Sequence, residues 1–337
     1  MKTRSIFNLL IIGFILLSCS QTKPDTRGFE NAALVAEDVI AENLMPWIER
    51  LALLREQDTP VDNTGFEEND MFPSSHLTRD SAVVMVKNAF ITMGYEPYII
   101  ELSKNNLTAF NVFAEIRGSE LPDEYILVGS HLDAFYAGAD DNGSAIAAML
   151  EAARVLKNYS FKRSIRFAAF DLEEFGSVGS TRYVEAGYAH DIKAAIVMDM
   201  IGYSSEEENS QDDVMGIRLP DKGDFLFIAG NDNSRKMVQQ MTALNYQYNL
   251  TKTVGGIAAG DGTSFLGSMF MRSDHGLLWY KNIPAVLMTD TANFRNKNYH
   301  KSSDTPESLD PAFLYRNTKA LTAATALFAG IQLQQAQ

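Results

Sequence analysis

The sequence predicts one α/β domain in which helices cover both faces of a mixed, mostly parallel sheet, giving a three-layer α/β/α sandwich. Short runs rich in Val, Ile and Phe recur along the chain without a strict polar–apolar alternation, which is typical of strands buried on both faces. Helical segments separate these runs, as the crossovers of a parallel sheet require. No change in composition indicates a second domain.

The expected strands and helices alternate from residue 98 onward. The strands are 98–102, 111–116, 125–129, 165–170, 194–198, 225–229 and 285–289. The helices are 28–57, 79–93, 143–157, 177–186, 234–244, 273–280 and 311–333. The glycines at 255–256 and 260–262 fit neither a P-loop nor a dinucleotide fingerprint and predict a flexible loop beside the active site.

Length and charge exclude some functions. A chain of 337 residues with 46% hydrophobic and 21% charged residues can bury a large core. Its 29 basic and 43 acidic side chains give a net charge of −14, which argues against nucleic-acid binding. The sequence carries no signal for an oligomeric state.

The first 18 residues predict a signal peptide. Lys2 and Arg4 precede an apolar run over 6–17, which is shorter than the roughly 20 residues of a spanning helix. The ending Leu16-Leu17-Ser18-Cys19 resembles a bacterial lipobox, whose cysteine becomes the acylated first residue. A plain signal peptide that contains a cysteine is the alternative.

Cys19 is the only cysteine, so a thiolate is excluded as a metal ligand or nucleophile in the mature domain. We therefore expect an exported protein that is lipid-anchored through Cys19 to the bacterial cell envelope, on the periplasmic face of the outer membrane. Residues 19–27 would form a tether and 28–337 a single domain. The lipid anchor would be the only contact with the membrane.

Histidine and acidic residues follow the ends of the expected strands, where functional groups of a parallel sheet gather. Taken singly, each also fits an ordinary role such as a helix N-cap or a solvated loop. Asp199 fits less well, because a carboxylate between two methionines needs a cation nearby. The candidates are His131, Asp133, Asp140, Asp141, Asp171, Glu173, Glu174, Asp199, Asp290 and His300.

This mixture of donors indicates zinc. Imidazole and carboxylate without thiolate are typical of catalytic zinc sites, in which three protein ligands leave one position open. Two histidines and three or four acidic groups exceed the needs of one such ion. Two zinc ions that share a bridging carboxylate would use them all.

The motifs resemble those of the co-catalytic zinc aminopeptidases, metallopeptidase family twenty-eight, whose fold also occurs in glutamate carboxypeptidase and glutaminyl cyclase. The resemblance covers residues 111–309 and implies a zinc-aminopeptidase, phosphorylase/hydrolase-like fold. The motifs in chain order are Gly-Ser-His-Leu-Asp, Gly-Ala-Asp-Asp-Asn-Gly, Asp-Leu-Glu-Glu-Phe-Gly, Met-Asp-Met-Ile-Gly, Arg-Ser-Asp-His and Tyr-His-x-x-x-Asp-Thr.

The resemblance also implies a set of metal ligands. Asp141 would bridge both zinc ions. His131 and Asp199 would complete one metal site, and Glu174 and His300 the other.

Four further residues receive roles from the same resemblance. Glu173 would be the general base, and Asp133 would hydrogen-bond the second ring nitrogen of His131. Tyr299 matches a tyrosine that steadies the oxyanion in some members. Arg272 matches an arginine placed near the substrate.

The expected activity is hydrolysis of the N-terminal peptide bond of peptides with a free N-terminus. A glutaminyl cyclase-like transferase with one zinc is the first alternative, and the presence of His131, the ligand at which cyclases depart, disfavours it. A carboxypeptidase or dipeptidase on the same fold remains open. A binding protein without catalysis is disfavoured, because all five ligands and Glu173 are present.

Overall fold

The computed structural model describes residues 24–58, 77–104, 106–214, 217–268 and 270–333. The expected signal peptide, Cys19 and the first part of the expected tether lie outside these residues. Among the helices that the model describes, none combines the length and the apolar character needed to cross a membrane.

A mixed eight-stranded sheet forms the centre of the described structure. The strands are β1 (Tyr98–Lys104), β2 (Leu107–Ile116), β3 (Leu121–His131), β4 (Arg163–Phe170), β5 (Ile192–Met198), β6 (Leu226–Asn231), β7 (Thr253–Ala258) and β8 (Ala285–Thr289). Their order across the sheet is β7-β6-β8-β5-β3-β4-β2-β1. The middle strands β8, β5, β3 and β4 are all parallel, so their carboxyl ends meet at one edge.

Helices cover both faces of this sheet. They are α1 (Phe29–Ala36), α2 (Leu44–Arg55), α3 (Asp80–Thr92), α4 (Ala145–Leu156), α5 (Val178–Glu185), α6 (Arg235–Tyr248), α7 (Phe265–Ser268), α8 (His275–Tyr280) and α9 (Pro311–Ala329). Alternate residues of each strand enter opposite cores: Val128 packs with residues of α1 to α4, α6 and α9, whereas Leu127 packs with those of α5 and α8. The predicted three-layer α/β/α fold is therefore confirmed.

The segment expected as one helix over 28–57 is two helices instead. Between α1 and α2 the chain turns around Glu151, a buried carboxylate on α4. Glu151 accepts hydrogen bonds from the backbone N–H of Ile40 at 2.7 Å and from the side-chain amide of Asn43 at 2.9 Å. A continuous helix would leave this carboxylate without those donors, which is costly for a buried charge.

The prediction of a loop at the glycines was wrong for 253–258, which form the edge strand β7. A side chain at Gly255 would come within 2.9 Å of Val238 on α6, and one at Gly256 within 2.5 Å of the Phe227 ring. The glycines are therefore required by close packing of the strand rather than by a turn.

Substitution of Phe167 tests the packing of the hydrophobic core that also contains Val128. It is fully buried on β4, and its ring centroid lies 6.1 Å from that of Phe90 and 6.0 Å from that of Tyr95. Phe167→Ala should lower the free energy of unfolding by about 3–5 kcal/mol, because it removes this contact and leaves a cavity. Urea denaturation would measure the loss.

Val84→Ala is the control, because Val84 is 58% exposed on α3 and its substitution should change stability by less than about 0.5 kcal/mol. Equal unfolding midpoints for the two variants would contradict the packing described here.

Candidate active site

Two groups of potential ligand atoms lie side by side at the carboxyl edge of the four parallel strands. The first consists of His131, Asp141 and Asp199, and the second of Asp141, Glu174 and His300. Nε2 of His131 lies 3.2 Å from Oδ1 of Asp141 and 3.7 Å from Oδ1 of Asp199. Nε2 of His300 lies 3.1 Å from Oδ2 of Asp141 and 2.9 Å from Oε2 of Glu174. The structure thus brings together all five residues that the sequence predicted as ligands.

The arrangement fits zinc on two grounds. Bond lengths of about 2.0–2.2 Å and tetrahedral angles place the ligand atoms of one zinc about 3.3 Å apart, close to the distances observed here. In addition, Nε2 of His131 and Oε1 of Glu174 are buried and have no hydrogen-bond partner among the residues that the structure describes. Buried polar atoms of this kind are rare unless something else satisfies them, and a cation would do so.

The chain reaches this arrangement through backbone conformations that most side chains avoid. Leu172, Met200 and His300 have φ values of +59°, +54° and +57°. Leu172 comes just before Glu173 and Glu174, and Met200 directly after Asp199. Such left-handed conformations cost roughly 1–3 kcal/mol each, so surrounding contacts must hold them.

Asn142 supplies some of these contacts. Its side-chain amide donates to the carbonyl of Met198 at 3.0 Å, and its amide oxygen accepts the N–H of Met200 at 3.1 Å. Asn142 follows Asp141 through a cis peptide bond. One side chain therefore ties the Asp141 loop to both neighbours of Asp199.

Asp304 holds the same loop from the other side. Its carboxylate accepts the backbone N–H groups of Asp140 at 2.9 Å and Asp141 at 3.1 Å. It belongs to the Tyr-His-x-x-x-Asp-Thr motif, four residues after His300, but it was not among the candidate residues. The spacing of that motif is the signal that would have found it.

The side chains of Asp140 and Asp290 form a pair of carboxyl groups beside the predicted metal ligands. Asp140 accepts the N–H of Gly202 at 2.9 Å and the side-chain amide of Asn296 at 2.7 Å. Burial raises the pKa of Asp290 well above its ordinary value, and the Asp140 carboxylate raises it further. Asp290 hydrogen-bonds Asp140, and neither residue belongs to the two groups of potential ligands.

Asp133 connects the two ligand-bearing strand ends. Its carboxylate accepts the backbone N–H groups of Glu173 at 3.0 Å and Glu174 at 3.1 Å. Nδ1 of His131 lies 3.0 Å from the Asp133 carbonyl oxygen and 3.5 Å from Oδ1 of its carboxylate. The shorter contact to the ring is thus made by the backbone, whereas the carboxylate fixes the turn of Glu173 and Glu174.

Glu173 stands beside the two ligand groups without joining either. Its Oε1 accepts a hydrogen bond from the Ser177 hydroxyl at 3.1 Å. Burial raises its pKa well above the ordinary value; His131 opposes this, and the carboxylates of Asp199 and Asp274 add to it. A raised pKa suits a carboxylate that must accept a proton and return it near neutral pH.

Tyr299 and Arg272 lie at the mouth of an adjoining cavity. The Tyr299 ring stacks on His300 with 3.7 Å between centroids, and its hydroxyl accepts from Nη2 of Arg272 at 3.4 Å. Asp199 lines the cavity on the side of the ligands. The remaining walls are almost entirely apolar and include Val214, Phe227, Ala229, Phe270, Leu287, Ala292 and Phe294.

Comparison with protein families identifies the family of this chain. The model of peptidase family M28 matches residues 111–325. The chain belongs to this family. The metal ligands, the base candidate and the tyrosine all lie within the matched residues.

Among curated relatives, the chain is 29% identical to uncharacterized protein YfbL of Escherichia coli over 67% of this chain and 73% of that protein. It is 28% identical to leucine aminopeptidase 2 of Arthroderma otae over 66% of this chain and 46% of that protein. The chain thus spans about half the length of this leucine aminopeptidase.

Two solved structures share the fold. The LapA aminopeptidase of Legionella pneumophila matches with a TM-score of 0.68 and 18% identity, over 94% of this chain and 79% of LapA. The glutaminyl cyclase of Porphyromonas gingivalis matches with a TM-score of 0.58 and 14% identity, over 86% of this chain and 99% of the cyclase. Likeness at these identities establishes the fold alone.

Zinc binding by the metal-free protein should release protons. Burial lowers the pKa of His300, but Glu174 and Asp141 outweigh it and raise that pKa to about 11. Burial likewise lowers the pKa of His131, and Asp133, Asp141 and Asp199 raise it by more. Both imidazoles are therefore protonated at pH 7 without metal, and each must lose its proton to bind zinc.

We expect zinc affinity to fall as the pH is lowered from 8 to 6, with about one proton released per histidine at pH 7. Calorimetry in buffers of different ionisation enthalpy measures this release. A binding heat that does not depend on the buffer would contradict it.

Proposed function

We propose that this protein is an aminopeptidase that removes residues from the free N-termini of peptides and uses two zinc ions. The observation that carries the proposal is the position of Asp141. Its two carboxylate oxygens face two imidazoles, each of which belongs to a separate group of three ligands. A bridging carboxylate between two such groups suits a pair of ions better than one ion.

The residues around the ligands have distinct tasks in hydrolysis. Bound zinc would supply Lewis-acid activation of a water and of the scissile carbonyl group. Glu173 accepts the proton of the attacking water and passes it to the leaving amine. The Tyr299 hydroxyl, next to Arg272, is placed to donate to the oxygen that becomes negative. The apolar cavity holds the side chain of the residue that is released.

The glutaminyl cyclase alternative shares the fold, so the fold does not separate the two activities. His131 favours the hydrolase, because it completes the first group of three ligands with Asp141 and Asp199. A carboxypeptidase or dipeptidase would use the same ligands. A requirement for a free substrate amine, without a requirement for a free substrate carboxylate, separates an aminopeptidase from a carboxypeptidase or a dipeptidase.

Glu173→Gln tests the assignment of the base. The amide keeps the size of the side chain but cannot accept the proton, so kcat should fall about 10²–10⁴-fold. The zinc content, measured by elemental analysis, should stay at two ions per chain because Glu173 belongs to neither ligand group.

Glu101→Gln, an exposed glutamate on the edge strand β1, is the matched control and should leave kcat unchanged. A metal-replete Glu173→Gln enzyme with wild-type kcat would remove Glu173 from its role.

The cavity predicts the preferred substrates. Burying an apolar side chain stabilises by about 1.5–3 kcal/mol, whereas an acidic one would face Asp199 across the same cavity. Leu-, Met- and Phe-p-nitroanilides should therefore be cleaved roughly 10–100-fold faster, in kcat/KM, than the Asp and Glu substrates. A metal chelator should abolish the release.

N-acetylated versions of the same substrates are the control and should not be cleaved. Absence of release from every free-amine substrate by zinc-loaded protein would overturn the aminopeptidase assignment. Gln-initiated peptides and peptides with a free C-terminus would then test the alternatives.

A further inference from the structure

Two arginines outside the matched family region reach the loops that carry the metal ligands. The family match begins at residue 111, whereas Arg55 is the last residue of α2 and Arg79 directly precedes α3. Both point their guanidinium groups toward the carboxyl edge of the sheet, as their partners there show. Neither arginine was among the candidate residues of the sequence analysis.

Arg55 binds the segment between the first two ligands, His131 and Asp141. Its side chain is 1% exposed. Nη2 donates to the carbonyl of Leu132 at 2.7 Å, and Nη1 donates to the carbonyls of Gly138 at 2.8 Å and Ala137 at 3.1 Å. One guanidinium therefore spans both ends of this segment.

The same segment has a mostly irregular backbone. Tyr136 and Gly138 adopt positive φ values of +56° and +53°, so the backbone follows neither a helix nor a long strand here. A two-residue pairing of 77–78 with 134–135 adds a second attachment to the N-terminal region. Contacts from Arg55, Leu77 and Thr78 therefore add to those of Asn142 and Asp304 in placing Asp141 relative to His131.

Arg79 makes the corresponding contact on the neighbouring strand. Its Nη1 donates to Oδ2 of Asp171 at 2.6 Å and to the carbonyl of Thr108 at 2.9 Å. Asp171 is fully buried, follows the end of β4 and comes two residues before Glu173. The ion pair therefore anchors the turn that presents Glu173 and Glu174.

We propose that Arg55 and Arg79 are positioning residues of the metal centre, which set the spacing of the ligands and of the base from outside the matched family region. This inference rests on the proposed zinc site. The N-terminal helices are then part of the active site rather than a cover over it.

The direction of the change in zinc affinity distinguishes a positioning role of Arg55 from an effect of its charge alone. Burial lowers the pKa of the Arg55 guanidinium, and the nearby carboxylates of Asp133, Asp304 and Asp141 oppose this lowering without outweighing it. If Arg55 acted only through its charge, removing a buried cation would make the site more attractive to zinc. If Arg55 positions the ligands, its removal must weaken zinc binding instead.

Lysine substitutions separate the two contributions further. Lys keeps the positive charge, but it lacks the planar fork of donors that spans three carbonyls. Arg55→Lys and Arg79→Lys should therefore lose most of the positioning effect while the charge stays.

The experiment measures zinc affinity of the metal-free, full-length protein by competition with a chromophoric chelator. We expect Arg55→Met, Arg55→Lys and Arg79→Lys each to weaken zinc binding about 10–100-fold, as loss of contacts that orient ligands does elsewhere. At saturating zinc, Arg79→Lys should also lower kcat with little change in KM, because Glu173 is displaced while the cavity is intact.

Arg166→Met is the matched control. Arg166 is similarly buried and ion-paired, to Glu115 at 2.7 Å and Asp191 at 2.9 Å, but it lies in the middle of β4 and contacts no ligand loop. Its substitution should lower thermal stability and leave zinc affinity within about twofold of wild type.

Cooperative thermal unfolding of each metal-free variant verifies its fold before titration. If Arg55→Met does not fold, the two lysine variants decide the question. Wild-type or tighter zinc binding by folded Arg55→Lys and Arg79→Lys would overturn the proposal. Since the titration needs no peptide, a wild-type protein that binds zinc but cleaves nothing would refute the proposed function and leave this inference standing.

Discussion

Asp141 places one buried carboxylate between two imidazoles, with 3.2 Å to His131 and 3.1 Å to His300. The carboxylates of Asp199, Glu173 and Glu174 lie close by, and burial of each of these charges without a cation is unfavourable. Such a cluster is stable only if cations or protons balance it. Much of the surrounding structure, from the Asp140–Asp290 pair to the arginines behind the loops, serves to hold this concentration of like charge in one geometry.

This constraint explains why the centre is built from several strands. Four parallel strands deliver their carboxyl ends to one edge, and each contributes few charged groups. The precise positions of the ligands then depend on polar side chains that hydrogen-bond backbone groups of other loops. Asn142 bonds to both neighbours of Asp199, Asp304 to the Asp141 loop, and Asp133 to the turn of Glu173 and Glu174. Ligand geometry is thus set mainly by hydrogen bonds to the main chain.

The sequence predicted the fold class from its strand pattern, and its motifs predicted the family and, through the resemblance, the residues that meet at the centre. It did not predict Asn142 or Asp304 in supporting roles. Their partners lie 56 to 164 residues away, so the motif spacing can single out Asp304 but cannot identify the backbone groups that it binds. The left-handed turns at Leu172, Met200 and His300 were also not predicted, since Leu and Met rarely adopt that conformation and a single His does not indicate it. The edge strand β7 was missed because its glycines serve packing against α6 and Phe227.

The antiparallel direction of β6 separates part of the cavity wall from the metal-binding side chains. Phe227 pairs with Thr289, so the beginning of β6 reaches the same edge at which β8 ends. This strand brings an apolar wall to the cavity and adds none of the metal-binding side chains. In the proposed function, β6 therefore lines the cavity for the substrate side chain without carrying a ligand, while Leu287 of β8 and Asp199 after β5 line the same cavity. Residues of the wall can be exchanged without moving a ligand, so new substrate preferences can arise while the chemistry is preserved.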